Sequence, residues 1–236
     1  MQFDLRDVAR MLKVPETKVY HWINEDQLPA RQVNGKYCFD QAELLEWATM
    51  KRLSIPTEAF YEHGTQVSEF SLAAALEQGG VCRDLAGADK AAVLRGIVEG
   101  MRLPADFDRA SLLELFLMRE QLGSTGVGDG IAIPHPRHPV ILPVDRPNVS
   151  ICFLAQPLEF GAADKKPVDT LFVLVSPAIR VHMQMLARIS RALGDAAFRE
   201  LLRARAGESE ILGAIRRIEQ SFDEPATATP PVRQPA

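Results

Sequence analysis

Two histidines, an arginine and a donor-rich glycine loop are the residue types that phosphoryl chemistry needs. Leu122-Gly123-Ser124-Thr125-Gly126-Val127-Gly128-Asp129-Gly130 reads as a loop bent by four glycines, the apolar run Ile131 to Ile133 follows as a buried strand, and His135 comes immediately after it. Arg119 precedes His135 by sixteen residues and His182 follows it by forty-seven. A neutral imidazole is a nucleophile. The glycine-rich backbone, with Ser124 and Thr125, offers N–H and O–H donors to an anion. Arg119 closes a helix that runs into the loop, and His182 falls in the first turn of another, where the helix dipole favours negative charge. These groups can accept and pass on a phosphoryl group, a reaction governed by positioning and charge stabilisation. No carboxylate cluster suggests Mg²⁺, so an already activated phosphoryl donor is expected rather than ATP. His135, His138 and His182 lack a Cys or carboxylate to complete a ligand set, and neither a metal nor a cofactor is expected.

The elements that must position these residues follow from the hydrophobic pattern. The chain has 236 residues, 47% hydrophobic and 25% charged, with a net charge of −4. That composition is ordinary for a globular protein and announces neither a nucleic-acid nor a membrane partner. There is no apolar run of membrane-spanning length and no signal-peptide pattern at Met1-Gln2-Phe3-Asp4, and the three cysteines are scattered; a cytoplasmic location is expected. Val81–Leu85, Val149–Leu154 and Thr170–Val175 read as strands. Helices are expected after the caps Asp89 and Asp108, after Pro177, and over 197–205 and 209–218. The helix after Asp108 is apolar almost all round (Leu112, Leu113, Leu115, Phe116, Leu117, Met118), which predicts deep burial. Alternating strands and helices imply an α/β sandwich, a sheet covered by helices.

Residues 1–50 form a separate, mainly α pattern. Asp4 caps a helix with Leu5, Val8, Ala9 and Leu12, and a short turn leads to Pro15, expected at the first position of a second helix carrying Val19, Trp22 and Ile23. Asn34-Gly35 between alternating segments signals a hairpin, and Asp40 caps a third helix with Leu44 and Trp47. This arrangement resembles the winged helix-turn-helix of the excisionase/MerR superfamily, through DLRDVARMLKVPETKVYHWINEDQLPA, VNGKYCF and DQAELLEWA. The resemblance implies DNA binding, with Thr17, Lys18, Tyr20, His21 and Asn24 facing the groove and Arg31 and Lys36 on phosphates. Residues 1–52 carry eight Lys/Arg and eight Asp/Glu, so as a monomer this neutral module should hold DNA weakly. Helix-turn-helix modules commonly act as dimers; a homodimer stays open, with no heptad run to supply it.

The second half resembles the phosphotransferase-system (PTS) EIIA domain of the fructose/mannitol family, including its nitrogen-regulatory branch. LMREQLGSTGVGDGIAIPH looks like the active-site segment and FVLVSPAIRVHMQMLARISRAL like the second-histidine helix, the likeness covering about 68–220. It implies that His135 takes a phosphoryl group from the histidine phosphocarrier HPr or its nitrogen-branch counterpart NPr. His182 and Arg119 would stabilise the transferring group, supported by Ser124 and Thr125. The sequence departs from the family at Pro136, where a small residue, most often Gly, is usual; proline removes one backbone N–H. The expected organisation is a helix-turn-helix domain at 1–50, a linker at 51–67, an EIIA-like domain at 68–221 and a disordered tail at 222–236. The expected function is a PTS-linked regulator that couples phosphorylation of His135 to DNA or partner binding. The alternatives are a non-catalytic regulator with a sensory EIIA-like domain and, less favoured, a sugar-uptake EIIA component.

Overall fold

A computed structural model of the chain describes residues 2–25, 28–33, 35–40, 43–44, 47–48, 51, 53, 70–136 and 144–223. Most of the expected linker, His138 and the chain beyond residue 223 lie outside the described residues.

The N-terminal part is built on a small antiparallel sheet of order β1-β3-β2, from β1 (Gln2–Asp4), β2 (Arg31–Val33) and β3 (Lys36–Asp40). Between β1 and β2 lie α1 (Leu5–Met11) and α2 (Glu16–Asn24). Asp4 and Asp7 cap α1 reciprocally: each carboxylate accepts the other's backbone N–H, at 3.2 and 2.8 Å, which satisfies two otherwise orphaned donors. Pro15 is the cap residue of α2 and not its first helical residue as expected. Val33 faces Lys36 across a two-residue turn in which Gly35 has φ +76°, the left-handed conformation a tight hairpin needs. The third helix is represented by helical residues 43–44 and 47–48, and Asp40 accepts the Glu43 N–H at 3.2 Å as expected of its cap. Trp22 and Trp47 close the small core with ring centroids 5.2 Å apart.

The larger part is a mixed five-stranded sheet of order β4-β7-β8-β6-β5. Its strands are β4 (Gly80–Leu85), β5 (Gly126–Gly128), β6 (Ile131–Ala132), β7 (Asn148–Leu158) and β8 (Val168–Val175). Its helices are α3 (Leu72–Gly79), α4 (Lys90–Gly100), α5 (Arg109–Gln121), α6 (Ile179–Gly194), α7 (Ala196–Arg203) and α8 (Glu208–Asp223). The two central strands alternate between two cores. Val149, Ile151, Phe153, Phe172 and Leu174 pack with α3, α6, α7 and α8, while Cys152, Leu154, Leu171, Val173 and Val175 pack with α4 and α5. Covered on both faces, β7 and β8 read in sequence as continuous apolar runs. The α/β class is as expected.

Burial of α5 is not. Only Leu112, Phe116 and Arg119 are buried along it, while Met118 is 60% exposed and Leu122, its cap, 62%. The spacing 112, 116, 119 is one stripe of the helix, and its last position is the arginine. Helix α3, which has no expectation from the sequence, is held by a contact distant along the chain. Glu219 on α8 accepts the N–H groups of Leu72 at 2.6 Å and Ala73 at 3.2 Å and pairs with Arg188 at 2.6 Å.

Candidate functional site

Strands β6 and β8 run parallel, so the segments that follow them leave the sheet at the same end. There the Leu174 N–H donates to the Pro134 carbonyl at 3.0 Å, placing His135 beside Ser176 and the start of α6. The rings of His135 and His182 lie with centroids 5.1 Å apart. Arg119, His135, Ser176 and His182 are all buried, between 1% and 6% exposed.

A hydrogen-bond partner at Nδ1 orients each ring. His135 Nδ1 is 2.6 Å from the Ile133 carbonyl. A carbonyl only accepts, so Nδ1 carries the proton and the Nε2 lone pair is the nucleophilic position. His182 Nδ1 is 2.9 Å from the Ser176 hydroxyl, which can donate or accept. His182 is the fourth residue of α6 and its backbone N–H already donates to the Ala178 carbonyl at 2.9 Å. Its contribution is therefore the ring rather than the helix-end N–H anticipated from its first-turn position.

The glycine segment is a hairpin rather than an open anion cradle. β5 pairs antiparallel with β6, Gly128 opposite Ile131, and Asp129 and Gly130 turn between them at φ +52° and +77°. Positive φ at both central residues is the type I′ signature. A side chain at Gly126 would come within 2.7 Å of Ala162, so only glycine lets the hairpin lie this close. Its donors are spent internally, as buried backbone requires: the Thr125 N–H goes to Glu120 at 3.3 Å and the Gly126 N–H to Ser124 at 3.0 Å. The hydroxyls expected to reach an anion also donate within the protein, Ser124 to the Phe160 carbonyl at 2.5 Å and Thr125 to Glu120 at 2.8 Å.

Arg119 closes this arrangement by donating to the Gly123 carbonyl at 3.0 Å. From there the loop connects to His135 in two steps. The Ile133 N–H donates to the Thr125 carbonyl at 2.9 Å, and the Ile133 carbonyl accepts from His135. Three supporting residues escaped the sequence reading. Glu120 takes an ion pair from Lys90 at 3.0 Å besides its Thr125 contacts, Lys90 also donates to the Phe160 carbonyl at 2.7 Å, and Ser176 orients His182. Glu120, next to Arg119 and five residues before Thr125, was the carboxylate within reach of the loop. Among the described residues no cluster of three or more His, Cys, Asp or Glu could hold a metal ion.

At the other end of the chain, Thr17, Lys18, Tyr20, His21 and Asn24 all lie on the exposed side of α2, and Arg31 and Lys36 are exposed on the hairpin. Several already have partners. His21 contacts Glu25 at 3.2 Å, Arg31 pairs with Glu43 at 3.6 Å, and Lys18 lies 5.6 Å from the Trp22 ring centre. Tyr20 packs edge-on to Tyr37 at 5.7 Å. No helix among the described residues is long and apolar enough to cross a membrane.

Comparison with known proteins agrees with both halves. Residues 76–218 match the family described as phosphoenolpyruvate-dependent sugar phosphotransferase system, EIIA 2, and residues 3–52 match a helix-turn-helix domain. The nitrogen regulatory protein of Pseudomonas aeruginosa is 39% identical over 122 residues, 50% of this chain and 77% of that protein. Its counterpart in Escherichia coli is 37% identical over 117 residues, 48% of this chain and 69% of that one. Among solved structures, the nitrogen regulatory protein IIA-Ntr of Neisseria meningitidis superposes with a TM-score of 0.50 at 28% identity, covering 57% of this chain and 91% of that one. The chain therefore belongs to the EIIA 2 family of the phosphoenolpyruvate-dependent phosphotransferase system, with a helix-turn-helix domain preceding its EIIA domain.

Proposed function

We propose that this protein is a PTS-linked regulator in which His135 accepts a phosphoryl group from an HPr- or NPr-type phosphocarrier and the N-terminal domain converts that event into DNA or partner binding. The observation that carries the reading is the Nδ1–H bond from His135 to the Ile133 carbonyl, which sets the tautomer that presents the Nε2 lone pair, beside a second imidazole. Nε2 attacks the phosphorus of the carrier's phosphohistidine. The new N–P bond forms as the carrier's N–P bond breaks, and the carrier's imidazole leaves with the electron pair. With the Ser176 hydroxyl donating to Nδ1, His182 keeps its proton on Nε2 and donates it as a hydrogen bond to a phosphoryl oxygen; Arg119 supplies positive charge from the hairpin side. Ser124 and Thr125 act as supports that hold the hairpin.

A docking rim supports the carrier assignment. Met118 and Leu122 lie one turn apart on the exposed side of α5 and its cap, and Ile179, 58% exposed, opens the turn that carries His182. Exposed apolar residues on the helix that carries Arg119 and on the helix that carries His182 suit a protein donor better than a small molecule. The organisation proposed with this function is a DNA-reading domain at 1–50, a linker at 51–67 and the EIIA domain at 68–221. The test is incubation with PTS enzyme I, HPr or NPr, and labelled phosphoenolpyruvate. Acid-labile label on the wild type and none on His135→Ala is expected; an unlabelled wild type beside a labelled control EIIA protein would sink the carrier role. Pro136 favours a second reading, a slow sensor. Label would then appear, but well behind the control.

A further inference from the structure

Two cysteines far from the histidines face one another across a strand pair. Cys82 on β4 is the registered neighbour of Cys152 on β7, and the strands run parallel. Residues paired in this way project to the same face of the sheet, and neighbouring strands lie about 4.8 Å apart. That spacing falls inside the Cα separation of about 4.4–6.8 Å that a disulfide spans. The two thiols differ in access. β4 is the outer strand of the sheet and Cys82 is exposed on it, whereas Cys152 is 3% exposed within the core under α4 and α5. Cys38, half-buried on β3 of the N-terminal sheet, has no such partner in the register of its strand.

We propose that Cys82 and Cys152 form a reversible thiol–disulfide site that reacts with hydrogen peroxide, Cys82 as the attacking sulfur and Cys152 as the resolving one. Neither residue belongs to the phosphoryl site, and the proposal stands or falls independently of it. In the first step the Cys82 thiolate attacks one peroxide oxygen. The S–O bond forms, the O–O bond breaks, and the departing hydroxide takes a proton to become water. In the second step the Cys152 sulfur attacks the Cys82 sulfenic acid. The S–S bond forms, the S–O bond breaks, and the leaving hydroxide takes the Cys152 proton as a second water. Two thiols and one peroxide thus give one disulfide and two waters. The division of labour matches the local electrostatics. The exposed Cys82 meets peroxide first and its thiol is held below the usual range by the neighbouring Cys152, while burial pushes the Cys152 thiol up. A buried resolving thiol on the neighbouring strand, in register with the attacking one, makes the second step intramolecular.

The experiment uses the full-length wild-type chain, reduced and then exposed to hydrogen peroxide, with intact mass and non-reducing peptide mapping as readouts. The expected result is loss of two hydrogens, a Cys82–Cys152 cross-linked peptide, and full return of both thiols with dithiothreitol. Cys152→Ala should instead accumulate a dimedone-trappable sulfenic acid on Cys82, and Cys82→Ser should leave Cys152 reduced. Because the cross-link is read in the wild type, it does not depend on either variant folding. Oxidation of Cys82 to sulfinic acid without a cross-link, a disulfide through Cys38 instead, or survival of both thiols under conditions that oxidise an exposed-thiol control would each overturn the proposal.

Discussion

At the scale of single residues, one hydrogen bond divides the work of the His135 ring. With Nδ1–H committed to the Ile133 carbonyl at 2.6 Å, the ring is held in the tautomer that presents Nε2. His135→Ala removes the proposed nucleophile, and phosphorylation in the carrier assay should fall to background. His182→Ala keeps the nucleophile but removes a donor from the transition state. Its rate should fall by roughly 10²- to 10³-fold, the cost typical of one lost electrostatic donor, with label still reaching His135. Ser176→Ala leaves both rings in place and frees the His182 tautomer. A drop of about tenfold in rate, with unchanged carrier affinity, is expected from a single-turnover time course. An equal loss of affinity would instead mark Ser176 as a packing residue.

The elements show why some of the site could be read from sequence and some could not. The places of His135, His182 and Arg119 in the fold were legible because each is tied to a local pattern: a strand end, a helix start, a helix end. The glycine segment reads in sequence as a loop and is a hairpin in the fold, although Asp129-Gly130 carries the same turn signal as Asn34-Gly35. β5 and β6 are only three and two residues long, too short for alternation to show. The contribution of Glu120, Lys90 and Ser176 depends on contacts made across the fold, and no spacing rule exposes them. The exposed side of α5 was hidden for the opposite reason. Its apolar residues exceed what the core needs, and the surplus lies beside the hairpin. Two variants test the supports. Glu219→Gln leaves the Arg188 guanidinium without its carboxylate and weakens the cap on α3. A loss of roughly 3 kcal/mol in urea unfolding is expected, the scale for breaking a buried pair. Asp4→Ala should cost about 1 kcal/mol, as for other lost helix caps. The Asp7 backbone N–H holds the Asp4 carboxyl below its usual range, so this cap stabilises above that range and is lost as pH falls through the lowered value. The Asp4→Ala penalty should therefore vanish in acid.

For the whole molecule, the proposed function requires that a phosphoryl group on one domain be read by the other. Phosphorylation adds about 1.5–2 negative charges at neutral pH, a large change for a chain of net charge −4. The helix-turn-helix domain carries balanced charge, and Arg31 is paired with Glu43 and His21 with Glu25, so its grip on DNA should be weak and easily biased. In gel shifts at two salt concentrations, Lys36→Ala should weaken retention on all sequences and reduce the salt slope by about one unit, whereas Asn24→Ala should alter sequence preference. Absence of any retention at low salt would reassign the domain to protein contacts.

The central claim is that His135 is phosphorylated at Nε2 while Nδ1 keeps its proton. The measurement that bears on it most directly is ¹⁵N-detected NMR of the histidine rings during transfer from the phosphorylated carrier, paired with peptide mapping of the acid-labile label. A single phosphohistidine is expected, at position 135, with phosphorus on Nε2 and the Nδ1–H resonance retained. Phosphorus on Nδ1, or a label on His182 in the wild type, would contradict it.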